Sequence, residues 1–225
     1  MNDNIHERRT PQYVVITNTE SMYFARRLRE HADFIENAAF SCCDGVGVVL
    51  AGRAQGISVG RIYGSGLVSA ACEYGVRHGW KHFFYGGRPG VPETLSRNLE
   101  ARFPGMRTGG TYSPPFREID SAEDDRIVEM INQTESDIVW VGLGLLKQER
   151  WIAAHLGRIR APWMVGVGAA FDYHAGTVKA APLWLQRAGF EWLHRVCHQP
   201  RMLVRNYRSF VFLGESLFWR QRRPA

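Results

Sequence analysis

Four groups of residues in this chain have types and spacings suited to chemistry. Asp44 stands between Cys43 and Gly45, at the edge of the apolar run from Gly45 to Ala51. A carboxylate entering such a run must be hydrogen-bonded, paired or functional, because an isolated buried charge is costly. Position alone leaves all three readings open, a functional carboxylate among them. Asp172 follows a second apolar run, in Phe171-Asp172-Tyr173-His174-Ala175-Gly176, and can accept from loop amides or from a ligand hydroxyl. Gly86-Gly87-Arg88-Pro89-Gly90 combines close backbone approach with a guanidinium, a pairing that fits a diphosphate. Lys147-Gln148-Glu149-Arg150-Trp151 is a dense polar cluster after Val141-Gly142-Leu143-Gly144. Gln148 can donate and accept, so it suits a uracil edge or a sugar hydroxyl; helix capping is the other reading of the cluster.

Other chemistries lack their residues. Gly142-Leu143-Gly144 and Gly166-Val167-Gly168 have no third glycine where a dinucleotide fingerprint needs one, and there is no Walker A sequence. No nucleophile elbow is present. The chain contains no Asp-x-Asp, so no metal is expected in the site and no cofactor is invoked. Cys42, Cys43, Cys72 and Cys197 form no Cys-x-x-Cys pair and read as reduced thiols. His174, His194 and His198 read as packing or surface histidines. The acidic run Glu118, Asp120, Glu123, Asp124 and Asp125 reads as a solvated loop and helix start.

The elements that must position these groups alternate. Strands are expected at Tyr13 to Thr17, His82 to Tyr85, Arg107 to Tyr112, Asp137 to Gly144 and Pro162 to Gly168. Helices are expected at Ser21 to Asn37, Ser65 to Gly79, Val91 to Arg102, Ser121 to Thr134 and Leu183 to Val196. Gly45 to Ala51 fits either a strand or a buried helix, since periodicity does not separate the two. The near-continuous apolar strands suit a parallel sheet covered on both faces. Strand-helix alternation then predicts an α/β fold with a doubly wound, mostly parallel sheet. Ligands bind outside the C-terminal ends of such strands. That rule selects the segments at Thr17-Asn18, Asp44, Gly86 to Gly90, Gly144 to Glu149 and Gly168 to Gly176.

The net charge of +6 is unevenly placed. Residues 1–194 carry 21 Lys+Arg against 21 Asp+Glu, whereas residues 195–225 carry seven Arg and one Glu. A nucleic-acid binder usually spreads its basic charge over a folded face, so no nucleic-acid partner is expected. A basic tail interleaved with Tyr207, Phe210, Phe212, Phe218 and Trp219 points to a local anionic partner, phospholipid or diphosphate. The division expected is a catalytic domain over 10–196 and a membrane-docking appendage over 197–225. No window approaches the roughly 18 apolar residues of a membrane span. The polar start resembles neither a signal nor a transit peptide, so a protein of the cytoplasm, peripheral on the inner membrane face, is expected.

Taken together, the ordered motifs resemble the WecG/TagA/CpsF glycosyltransferases, glycosyltransferase family 26. They are Asn18, Asp44-Gly45-Val46-Gly47-Val48-Val49, Arg61-Ile62-Tyr63-Gly64-Ser65, the Gly86 to Gly90 loop, Gly142 to Glu149, Gly166 to Asp172, and Glu191-Trp192 with Arg195 and Pro200-Arg201. The resemblance implies a Rossmann-like fold with a C-terminal helical appendage. It also implies an inverting transfer of N-acetylmannosamine, its uronic acid or a related hexose. The donor would be a UDP-sugar, and the acceptor a polyprenyl-diphosphate-linked saccharide in cell-surface polysaccharide synthesis. Asp44 would be the base, with Gln148 beside it in catalysis. Thr17, Asn18, Arg61, Gly86, Gly87, Arg88, Gly144, Lys147, Glu149, Asp172, Arg195 and Arg201 would bind substrate or nucleotide. The chain departs from the family pattern at Gly66 (usually Asp), Leu146 (usually Pro) and Ala180 (usually Arg). Two alternatives stay open at this point: a non-catalytic peripheral membrane scaffold that binds nucleotide, and a dinucleotide-dependent oxidoreductase. Homo-oligomerisation also stays open.

Overall fold

The computed structural model describes residues 1–6, 10–178 and 202–220. In chain order the elements are α1 (Asn2–His6), β1 (Gln12–Thr17), α2 (Thr19–Ala25), α3 (Arg29–Glu36), β2 (Phe40–Cys43), α4 (Val46–Ala54) and α5 (Gly64–His78). They continue with β3 (Lys81–Gly86), α6 (Val91–Arg102), β4 (Arg107–Tyr112), α7 (Ser121–Gln133), β5 (Ile138–Gly142), α8 (Lys147–His155), β6 (Trp163–Gly166), α9 (Ala170–His174) and α10 (Met202–Arg220).

The strands form one sheet in the order β2-β1-β6-β5-β3-β4. The pairs β1–β6, β6–β5, β5–β3 and β3–β4 are all parallel. This is the Rossmann-like α/β architecture that strand-helix alternation predicts. The apolar runs explain it. Ile138, Val139, Trp140 and Val141 of β5 are fully buried, as are Met164 and Val165 of β6. Strands covered on both faces leave no place for an alternating polar residue.

Local signals set several boundaries. Gly90, at φ 84, leads into α6, where Pro92 sits in the first turn with Glu93, and Arg102 lies in the last turn. Asp120 caps α7 by accepting from the Glu123 amide at 2.8 Å. The ambiguous run after Asp44 is a helix. Gly45, at φ 90, turns the chain out of β2, and α4 then buries Val48, Val49 and Ala51 while Val46 and Leu50 face outward. The expected single helix from Ser21 is two, because Leu28 is extended and starts α3. β2 was not expected: it has four residues, and Phe40 and Ser41 are exposed.

The chain forms two compact units. One comprises residues 1–15, 38–40 and 64–178. Its core holds Val68, Cys72, Phe84, Leu95, Leu99 and Ile131, together with a buried histidine, His82. The other comprises residues 16–37, 41–63 and the chain from 179 onward, of which 202–220 are described. In this second unit α10 packs on α2 and α4. Leu213 of α10 and Thr19 of α2 meet at Gly47, which has no side chain to obstruct them.

Ion pairs run in both directions between α10 and α2 with the two residues that follow it. Glu20, only 7% exposed, accepts from Arg208 at 2.9 Å and pairs with Arg205 at 3.2 Å. In return, Arg26 and Arg27 pair with Glu215, and Arg26 also donates to the buried Ser216 hydroxyl at 3.0 Å. The sequence had assigned the tail's arginines to an outside anion. Two of the seven, Arg205 and Arg208, instead meet a carboxylate of their own chain, because the docked helix puts them over Glu20. The helix expected at Leu183 to Val196 lies outside the described residues, as do Ala180, Arg195 and Arg201.

Candidate functional site

The site residues of the second unit gather around the ends of β1 and β2. The Asp44 amide donates to the Thr17 carbonyl at 2.7 Å, which ties the two strand ends together. The Thr17 side chain is buried and its hydroxyl donates to the Cys42 carbonyl at 3.1 Å. Asn18 caps α2, its Oδ1 accepting from the Ser21 amide at 3.0 Å. The amide end of Asn18 is not used by that cap. The Ile62 amide donates to the Cys43 carbonyl at 2.9 Å, which brings the preceding residue, Arg61, alongside Asp44. The Arg61 Nε stands 3.8 Å from Asp44 Oδ1, and both side chains are about one-third exposed. Asp44 is thus half-buried, anchored through its backbone and given a counter-charge. A carboxylate so placed can take a proton from a hydroxyl brought to it.

The site residues of the first unit lie on three glycine turns that follow β3, β5 and β6. Gly86 is paired with Gly142 across the sheet, and a Cβ on Gly86 would lie 2.7 Å from the Gly142 backbone. A Cβ on Gly142 would in turn meet the Phe171 ring at 2.7 Å. Gly86 is therefore glycine because two backbones touch there, and Gly142 because the Phe171 ring lies against it. One expectation changes here: the Gly87 amide donates to the Gly142 carbonyl at 3.0 Å and so is engaged within the protein. Arg88 is 67% exposed and lies 3.8 Å from Asp172, whose Oδ1 also accepts from the Thr177 hydroxyl at 3.0 Å. Asp172 is half-buried.

The polar cluster at the start of α8 divides. Lys147 faces solvent, whereas Gln148 and Glu149 are buried, at 5% and 3% exposure. Glu149 accepts from Gln148 Nε2 at 3.1 Å, and the backbone amides of Glu149 itself and of Leu146, the N-cap of α8, also favour its charged form. Glu149 stands at the third helical position after that N-cap, the place of a capping-box residue, so the capping reading and the site reading fall on the same residues. Burial raises the Glu149 pKa, against the lowering effect of those hydrogen bonds. Leu146 has φ 67, a value closed to proline, whose ring fixes φ near −65°. The proline usual at this position in the family pattern does not fit this backbone.

Ser113, Phe116 and Glu20 carried no reading in the sequence. The Ser113 hydroxyl donates to the Gly87 carbonyl at 2.7 Å, joining the segment after β4 to the glycine turn, and Phe116 in that segment is 81% exposed. Ser113-Pro114-Pro115-Phe116 follows a strand directly, so the strand-end rule would have selected it. Glu20, next to the Asn18 cap, gave no signal because its partners lie more than 180 residues away. Two further titratable groups, His174 and Asp124, have structural partners. His174, its pKa lowered chiefly by burial, bonds the Ser65 carbonyl at 2.9 Å. Part of the acidic run is engaged rather than solvated: Asp124 binds Arg158 at 2.6 Å and His155 at 2.9 Å. Those contacts overcome its burial and lower its pKa. Among the described residues no three His, Cys, Asp or Glu side chains converge as a metal would need.

The parallel sheet and its glycine turns define a Rossmann-like α/β fold. The chain belongs to the glycosyl transferase WecG/TagA/CpsF family, whose profile matches residues 1–225, and it is a glycosyltransferase. An N-acetylglucosaminyldiphosphoundecaprenol N-acetyl-beta-D-mannosaminyltransferase of Staphylococcus aureus strain NCTC 8325 is 29% identical over 184 residues, covering 81% of this chain and 70% of the relative. The protein of the same name from strain COL gives the same values. The oxidoreductase alternative falls with this family match.

Proposed function

We propose that the protein transfers a hexose, N-acetylmannosamine or a close relative, from a UDP-sugar to a polyprenyl-diphosphate-linked saccharide, by one inverting displacement. The acceptor class is that named for the Staphylococcus aureus relatives, and the pathway class is cell-surface polysaccharide synthesis. The observation that carries the reading is Asp44: a half-buried carboxylate, tied to Thr17 and flanked by Arg61, in a chain of this family. Asp44 removes the proton of the acceptor hydroxyl as that oxygen attacks the anomeric carbon. The bond to the diphosphate oxygen breaks, and UDP leaves with the electron pair. The growing negative charge needs donors already in place. Arg88 supplies one by exchanging its loose contact with Asp172 for a phosphate oxygen. Arg195 and Arg201 keep the diphosphate role that the family motif implies. The transfer runs without a bound metal.

Docking on an anionic membrane is part of the same proposal. No described helix is long and apolar enough to cross a membrane. Yet the second unit exposes Val46 and Leu50 of α4, Ile57, Ile62 and Tyr63, and Leu203, Val204 and Tyr207 of α10. Apolar side chains in that number support contact with lipid, where the substrate's polyprenyl chain resides.

The test is Asp44→Asn. Loss of a positioned base lowers turnover by roughly 10²–10⁴-fold, with UDP affinity retained and wild-type turnover unaffected by a chelator. Near-normal turnover in the variant would remove Asp44 from the mechanism.

A further inference from the structure

Two neighbouring buried oxygens at the start of α8, Gln148 Oε1 and Glu149 Oε2, have no hydrogen-bond partner among the described residues. Buried acceptors left so cost about 1–3 kcal/mol each, and two side by side call for an explanation. Glu149 supplies part of it. Its other oxygen accepts from Gln148 Nε2 at 3.1 Å. A carboxylate only accepts, so the Gln148 amide must turn its NH₂ toward Glu149. The Gln148 carbonyl is thereby turned away. It faces the glycine turns after β5 and β6: a Cβ on Gly168 would lie 3.5 Å from Oε1, and one on Gly144 would meet nothing within 4 Å. Gly166 completes the arrangement, since a Cβ there would lie 3.0 Å from Gln148 Nε2. The three glycines leave space for the amide on one side and open space on the other.

We infer that Glu149 is a positioning residue that fixes the polarity of the Gln148 amide, so that Gln148 offers an acceptor and the substrate group it reads is a donor, a hydroxyl or an N–H. The inference rests on the glycosyl-transfer reading above. The terminal amide torsion is broadly two-fold. Without the carboxylate beside it, Gln148 can rotate and offer its NH₂ instead. A helix cap alone does not need this, because Gln serves at the third helical position as Glu does.

The experiment has two arms, both on the full chain. In the first, ¹⁵N-labelled wild-type protein is followed by NMR through the side-chain NH₂ of Gln148. Exchange with solvent slower by about 100-fold than that of exposed glutamine amides is expected, as for a sealed and hydrogen-bonded group. Exchange at the exposed rate overturns the inference, and this arm needs no variant to fold. In the second, Glu149→Gln lowers kcat/KM about tenfold, the equivalent of one neutral hydrogen bond. The double variant Gln148→Glu/Glu149→Gln restores most of that loss. In it the amide at 149 donates to the carboxylate at 148, whose second oxygen again faces the glycine turns as an acceptor. An unchanged kcat/KM in Glu149→Gln, or a double variant no better than the single one, overturns the inference. If wild-type protein transfers no sugar from any UDP-sugar, the functional reading fails, and amide exchange still decides how Glu149 holds Gln148.

Discussion

Acid should destabilise this fold in part through His82, by an amount that follows from that residue's surroundings. His82 is fully buried in β3, and its Nδ1 accepts from the Trp140 indole N–H at 3.1 Å. The ring proton therefore sits on Nε2, which is buried against Gly75. A second proton would have to go on Nδ1, which would break the Trp140 bond and place a charge in the core. Burial accordingly lowers the pKa from 6.5 to about 4. Between those values the unfolded chain binds a proton that the folded chain refuses. The stability that neutral His82 contributes is therefore complete above about pH 6.5 and declines as pH falls toward 4. A shift of this size amounts to about 3 kcal/mol in total, with about 2 kcal/mol already lost at pH 5. No discount for solvent screening applies to a side chain with no exposure. The assay is urea unfolding at pH 7 and pH 5, comparing wild type with His82→Asn. The asparagine Oδ1 can accept from Trp140 in place of Nδ1 but does not titrate. The variant should be less stable at pH 7 and lose about 2 kcal/mol less than wild type on going to pH 5. If the two proteins lose the same amount, the histidine is not the acid-sensitive group and the reasoning is wrong.

Three further outcomes are expected. Glu20→Gln should loosen α10 from α2 by about 1–2 kcal/mol, below the usual figure for a buried pair because Arg205 and Arg208 stay one-third exposed and can hydrate. Hydrogen exchange of the α10 amides should then quicken while β3 stays protected; unchanged α10 exchange would mean that the pairs do not hold the helix. Gly86→Ala should lower Tm far more than Gly90→Ala. Both have positive φ, but only at Gly86 does the new Cβ meet backbone, so a cost of about 3 kcal/mol stands against about 1 kcal/mol. Equal effects would show that the strand contact can yield. Replacing Leu203 and Tyr207 by serine should reduce pelleting with anionic vesicles while thermal stability is kept; full retention of pelleting would exclude that face of α10 from lipid contact.

The sequence by itself determined what neighbours along the chain could determine. The bounds of α6 and β4 could be read there, because a glycine turn, an early proline, terminal charges and a run of strand-forming residues act within a few positions. The buried strands β5 and β6 were visible as continuous apolar runs. Asp44 and the glycine turns stood out because a carboxylate beside an apolar run and clustered glycines are unusual in themselves. Only the tertiary structure decided whether the run after Asp44 was strand or helix, since that depended on which residues found a surface to bury against. It also decided that Gln148 and Glu149 lie inside the fold, with one carboxylate turning one amide. And it decided that Arg205 and Arg208 close on Glu20, more than 180 residues away. Burial and ion pairing are properties of positions in space, and residues distant in the chain become neighbours only once the helices and the sheet have packed.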